Sequence, residues 1–216
     1  MKFEVKNLSL SYKDGKDKRA IFNDISFSFK EKEKIVIVGP SGTGKSSLLY
    51  VISGLRTPDV GEVIYDGKVI QSEKIALNTR YTDFGFVFQQ HYLIPYLNVL
   101  DNICIARRDC NLKEDAMQIL AYMGMEKMAA KRPFELSGGE KQRVAIARAI
   151  VKKPKIIFAD EPTASLDSKN AKLIYGLLKE FSQQAALVIA THDKGILDGD
   201  ERMFNIRDKK LIEGIN

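Results

Sequence analysis

The sequence predicts an α/β fold: a core built on a mainly parallel sheet, an N-terminal antiparallel β subdomain and an inserted helical subdomain. Three observations predict it. The short runs Ile35-Val36-Ile37-Val38, Ile156-Ile157-Phe158-Ala159 and Leu187-Val188-Ile189-Ala190 are continuously apolar and end abruptly, as do strands buried on both faces of a parallel sheet. Around the first run, apolar residues alternate with polar ones, the mark of strands with one buried face. Over residues 90–153 the apolar spacing turns helical.

In chain order, Met1-Lys2-Phe3-Glu4-Val5 reads as a strand rather than a signal peptide. Phe3, Val5 and Leu8, then Ile25, Phe27 and Phe29, form the alternating faces of the first two strands. After Ile35–Val38 the chain passes Gly39 into a helix with Leu48, Ile52 and Leu55 on one face. Asp66-Gly67 between Glu62–Tyr65 and Lys68–Ile70 is a hairpin signal. Gly85-Phe86-Val87-Phe88 is a further apolar run and ends at Gln89. Met117, Leu120 and Ala121, then Val144, Ala147 and Ile150-Val151, repeat at helix spacing. The division that follows is a single domain over 1–216, with 1–89 and 154–216 as core and β subdomain and 90–153 as the helical subdomain.

Composition removes several classes. No apolar run reaches the roughly 18 residues of a membrane span, so a soluble, cytosolic chain is expected. The 34 Lys and Arg against 28 Asp and Glu give a net charge of +6, which fits nucleic acid, an anionic membrane surface or a nucleotide. The basic stretches, Lys13 to Arg19 and Lys30 to Lys34, lack the interleaved aromatics of a nucleic-acid platform. They read as solvated surface, and no nucleic-acid partner is expected. Cys104 and Cys110 form neither a disulfide framework nor a zinc pattern. With only His91 and His192 beside them, a histidine-rich metal site is excluded.

Gly39-Pro40-Ser41-Gly42-Thr43-Gly44-Lys45-Ser46 is a complete phosphate-binding loop between a buried strand and an amphipathic helix. Glycines let successive N–H groups turn inward around phosphate oxygens, and the helix start adds its positive dipole end. Lys45 is expected on the β- and γ-phosphates and the Ser46 hydroxyl on Mg²⁺. The glycine spacing is wrong for a dinucleotide fingerprint.

Asp160-Glu161 closes the second buried run. Asp160 is placed to hold Mg²⁺ opposite Ser46. Glu161 is placed to orient and deprotonate an attacking water. Two adjacent acids repel and raise one pKa, and Mg²⁺ opposes this. His192 ends the third run on the same sheet edge, as a γ-phosphate contact and positioner of Glu161. Gln89 is read as a hydrogen-bonding partner of the water or of Mg²⁺.

Ser137-Gly138-Gly139-Glu140 opens another amphipathic helix. Ser137 and Glu140 make a capping box. That does not account for the two glycines between them, which cost helix stability. Bare N–H groups at a helix start suit an anion.

The order of the phosphate loop, Gln89, Leu136 to Glu140, Asp160-Glu161, Ser165-Leu166-Asp167 and His192 resembles the ATP-binding subunits of ABC transporters, over nearly the whole chain. The resemblance implies the P-loop NTPase core of an ABC ATPase, using ATP and Mg²⁺. It also implies an ATP-dependent head-to-tail homodimer, in which Ser137, Gly138, Gly139 and Glu140 act on the ATP of the other copy. Asp167 then lies at the dimer seam, Tyr12 stacks on adenine, and Ser47 joins the nucleotide-binding loop. A separately encoded membrane permease would hold the chain on the inner face of the cell membrane, with Tyr92, Leu93, Ile94 and Tyr96 either receiving its cytoplasmic helix or packing into the chain's own core.

Glu140, Lys141 to Ala149 and Phe86-Val87-Phe88-Gln89 are similar to the macrolide-efflux and lipoprotein-release branch. That branch implies export of a peptide, antibiotic or lipid-like substrate, or a mechanotransmission partner that moves no solute. Two departures stand out. Lys32 precedes Glu33 where the family carries glycine, and is strained if that turn needs positive φ. Ala164-Ser165 replaces the branch's Gly-Asn. DNA-repair relatives carry coiled-coil or zinc insertions, and translation-factor relatives carry two cassettes; this chain has neither.

Overall fold

The computed structural model describes residues 1–15, 17–70, 73–107, 112–164 and 166–214. Ser165 and Cys110 lie outside the described residues.

Two sheets organise the chain. β1 (Lys2–Asp14), β2 (Asp17–Lys30), β4 (Val60–Tyr65) and β5 (Lys68–Val69) form a four-stranded antiparallel sheet in the order β2-β1-β4-β5. The expected hairpin is present: Tyr65 pairs with Lys68, and Asp66 and Gly67 take φ 46 and 77, as a two-residue turn of the primed type requires. The six-stranded sheet contains β3 (Lys34–Val38), β6 (Phe84–Val87), β7 (Ile156–Asp160), β8 (Ala186–Thr191), β9 (Arg202–Arg207) and β10 (Lys210–Glu213). Its order is β10-β9-β3-β8-β7-β6, parallel throughout except for the β9–β10 hairpin.

The three apolar runs are β3, β7 and β8, and both of their faces are buried. Ile35, Ile37, Phe158 and Val188 pack with the antiparallel sheet and with α1 (Lys45–Ile52). Val36, Val38, Ile157, Ala159, Leu187 and Ile189 pack on the other side against α5 (Gly138–Ile150) and α6 (Ser168–Phe181). An aromatic cluster joins the two sheets. Phe3 of β1 lies 6.3 Å from Phe84 and from Phe158, and Tyr65 of β4 lies 5.2 Å from Phe84. Such ring pairs contribute about 0.5–1.5 kcal/mol each beyond the area they bury.

α3 (Val99–Cys104) and α4 (Leu112–Tyr122) share a third core with α5 through Val99, Ile103, Leu112, Ala116, Leu120, Val144, Ala147 and Val151. Here two expected helix faces are corrected. In α4 the buried stripe is Leu112, Ala116 and Leu120, a strict i, i+4 repeat, while Met117 and Ala121 are exposed. α1 ends at Ile52, so Leu55 lies beyond the helix and is exposed. α2 (Glu73–Thr82), α6 and the β9–β10 hairpin were not anticipated.

Lys32 has φ 65, so the turn into β3 does need the left-handed region, at a cost of roughly 1–2 kcal/mol for a residue with a Cβ. Cys104 is a free, half-buried thiol whose pKa burial raises. No helix among the described residues is long and apolar enough to cross a membrane.

Candidate active site

β3, β6, β7 and β8 end side by side. Val38 is in register with Thr191, Asp160 with Ala190, and Val87 with Ala159. Parallel pairing therefore brings residues from four distant parts of the chain to one edge, where open parallel sheets hold their ligands.

The phosphate loop leaves β3 there and enters α1. Gly44 has φ 100, and a Cβ on it would lie 2.6 Å from Ile21 Cγ2, so glycine is required by both conformation and space. The Lys45 side chain is buried, with Nζ donating to Gly39 O at 2.8 Å and Pro40 O at 3.1 Å. Its ammonium is therefore inside the loop, 3.3 Å from Glu161 Oε1.

Ser46, the next residue, donates its Oγ–H to Asp160 Oδ1 at 2.7 Å. The other carboxylate oxygen accepts from Tyr50 Oη at 2.9 Å. Asp160 is buried at the end of β7, and desolvation raises its pKa against the opposing hydrogen bonds of Ser46 and Tyr50; Glu161 adds a smaller push upward. Burial is thus the larger effect and acid–acid repulsion the smaller. Tyr50 was missed in the sequence. The signal for it was its i, i+4 spacing from Ser46 on α1, which puts both hydroxyls on one helix face.

Glu161 takes φ 44 immediately after β7. This left-handed turn is the kind of local strain found at functional sites. Its carboxylate lies between two partners. Oε1 faces Lys45, while Oε2 lies 2.9 Å from His192 Nδ1 and accepts the His192 backbone N–H at 3.3 Å. His192 itself is exposed. Lys45, Ser46, Asp160, Glu161 and His192 thus form one connected polar site.

Chemically, an ammonium inside a glycine loop fits a polyphosphate. Ser46 Oγ and Asp160 Oδ1, adjacent hard oxygen donors, fit Mg²⁺. Gln89 is exposed two residues after β6, on the same edge.

Tyr12, near the end of β1, is half-buried and its hydroxyl lies 2.9 Å from Ser47 Oγ. Arg56, also missed in the sequence, places its guanidinium carbon 4.0 Å from the Tyr12 ring centroid.

The remaining expected site residues lie in two helix starts. Ser137 caps α5 with its full capping box: Glu140 Oε2 accepts from Ser137 N and Oγ, each at 2.7 Å. Those bonds hold the Glu140 carboxyl below its ordinary pKa. A Cβ on Gly138 would meet nothing within 4 Å, so this glycine answers to no packing demand inside the chain. Asp167 caps α6, accepting from Lys169 N and Asn170 N at 3.1 Å each.

The family described as ABC transporter matches residues 22–164. Three solved structures are similar. The dimeric post-hydrolysis state of the ATP-binding cassette MJ0796, bound to ADP and Pi, is 32% identical over 99% of each chain, with a TM-score of 0.86. A dimeric structure of MJ0796, described as a bacterial ABC transporter cassette, is 34% identical over 97% of this chain and 96% of that one, with a TM-score of 0.87. CbiO1 from Clostridium perfringens, part of the ABC transporter complex cbiONQ, is 28% identical over 97% and 86%, with a TM-score of 0.83.

Proposed function

The chain belongs to the ABC transporter family, and from that premise we propose that it hydrolyses MgATP in a head-to-tail homodimer to drive a separately encoded membrane permease. The observation that carries this reading is the Lys45–Glu161–His192 array beside Ser46–Asp160 at the end of the parallel strands.

The geometry supports the following roles. Backbone N–H groups of the loop from Gly39 to Ser47, Pro40 having none, cradle the phosphates, with Pro40, Ser41 and Thr43 shaping the loop. Lys45 exchanges its carbonyl partners for phosphate oxygens. Glu161 holds the attacking water and accepts its proton, while His192 fixes the carboxylate's orientation. Oxygen of that water bonds to the γ-phosphorus as the bond to the bridging oxygen breaks, leaving ADP and phosphate. Ser46, Asp160 and Gln89 are the groups that would hold Mg²⁺, whose chemistry is to neutralise charge on the phosphate oxygens. Tyr12 stacks on the base.

Gly138 and Gly139 supply anion-binding N–H groups to the other copy's nucleotide, Ser137 and Glu140 hold the helix start beside it, and Asp167 lies at the seam between copies. Open space at Gly138 and the exposure of Ser137 favour this over a purely internal role. Dimeric cassettes among the similar structures favour it as well.

Residues 90–153 are assigned as the helical subdomain and permease-facing element. Buried Asn102 ties the 94–98 loop through bonds to Ile94, Leu97 and Asn98, and Arg148 donates to the carbonyls of His91 and Tyr92. Tyr92 and Tyr96 nevertheless remain 62% and 74% exposed. A cavity of about 330 Å³ opens beside Tyr92, lined by Phe86, Phe88, Ile105 and Arg148. A rigid, exposed aromatic loop beside an apolar cavity suits a docked helix. Peripheral attachment to the inner membrane face follows from the permease. The macrolide-efflux and lipoprotein-release branch remains the best subfamily reading, on the residues around Gln89 and Glu140.

The test is ATP-dependent phosphate release by the purified chain, then co-purification with the permease and efflux from vesicles. No release overturns the ATPase reading. Release and permease binding without efflux would replace transport by mechanotransmission.

A further inference from the structure

Tyr12 already has its contacts taken. Its hydroxyl is tied to Ser47 Oγ, and its ring packs against the core that includes α1. The guanidinium of Arg56 lies over the ring, 4.0 Å from its centroid, well within the range of cation–π attraction. Arg56 is held at its root. Its backbone N–H donates to Tyr50 O at 3.0 Å, and three residues on, Asp59 accepts Ser11 N and Oγ at 2.6 Å each. The segment carrying Arg56 is thereby tied both to α1 and to the residue next to Tyr12, which sets the reach of the guanidinium onto the ring.

We infer that Arg56 is a latch on the base-stacking face of Tyr12: a nucleotide base gains the ring by displacing the guanidinium, and Arg56 thereby sets nucleotide affinity. The inference rests on the reading of Tyr12 as the base-stacking residue. It carries an unusual sign. Removing a cation beside a polyphosphate site should weaken binding through charge alone, whereas removing a latch tightens it.

The experiment measures dissociation constants of ATP, ADP and inorganic tripolyphosphate for the full chain and for Arg56→Ala and Arg56→Gln. The latch predicts that ATP and ADP both tighten by the same factor, about threefold to tenfold, while tripolyphosphate, which has no base, does not tighten. Unchanged or weaker ATP binding in both variants overturns the latch, as does equal tightening of tripolyphosphate. Tyr12→Ala separates the two levels. If it weakens ATP while the Arg56 variants leave ATP unchanged, only the latch fails. If it leaves ATP affinity unchanged, the stacking role of Tyr12 fails and the latch with it.

Discussion

His192 Nδ1 lies 2.9 Å from Glu161 Oε2, and the His192 backbone N–H donates to the same oxygen. One carboxylate oxygen is therefore held from two directions, while the other faces Lys45. His192→Ala removes the ring contact alone. Hydrogen bonds to charged groups are worth about 1.5–3 kcal/mol, so kcat should fall about tenfold to a hundredfold with KM little changed. Equal loss in KM would show that His192 serves binding rather than orientation.

Glu161→Gln keeps the shape and hydrogen-bonding capacity of the side chain but removes its basicity. Hydrolysis should fall by about a hundredfold or more. ATP binding should persist, and the protein should accumulate as a dimer on size-exclusion chromatography with ATP. Ordinary turnover by this variant rules out Glu161 as the base.

Lys45→Ala should weaken ATP binding by about tenfold or more, since a charge-assisted contact is lost. Ser137→Arg should block the helix start proposed to face the other copy. Mixing the two inactive variants leaves one intact composite site per heterodimer and should restore up to about half of the wild-type activity per dimer. A mixture as inactive as its components argues against sites shared between copies.

Asp160→Asn should stabilise the nucleotide-free protein while abolishing hydrolysis. The folded state raises the pKa of Asp160 above its ordinary 3.8, chiefly through burial. Across the window between the two pKa values the folded chain binds more protons than the unfolded chain. Stability therefore declines as pH rises from about 4 through the folded pKa, and the ionised carboxylate remains a cost at neutral pH. Asn does not carry it. At pH 7 the variant's Tm should rise, and the gain should shrink toward pH 4. A lower Tm at pH 7 contradicts the sign.

Legibility varied with the range of the interaction. The three buried strands were readable because burial on both faces leaves a continuous β-branched run, as in Ile35–Val38. The phosphate loop was readable because its spacing is local. The β9–β10 hairpin was not: its turn uses Asp208 and Lys209, both at positive φ, in place of a glycine signal. In α4, Met117 and Ala121 looked equivalent to Leu120, and only packing against α3 and α5 chose Ala116 and Leu120 instead.

The sequence by itself determined the chemistry available: glycines and Lys45 in a phosphate loop, Asp160-Glu161 and His192 at strand ends, and a capping box interrupted by two glycines. These are choices of residue type at short spacing, where covalent geometry and backbone preference decide. The tertiary structure decided which side chains meet. It placed Glu161 between Lys45 and His192, gave Asp160 its second hydroxyl from Tyr50, and laid Arg56 over Tyr12. Those pairs are separated by tens of residues, and only the register of parallel strands and the packing of α1 against the sheets bring them within a few ångströms.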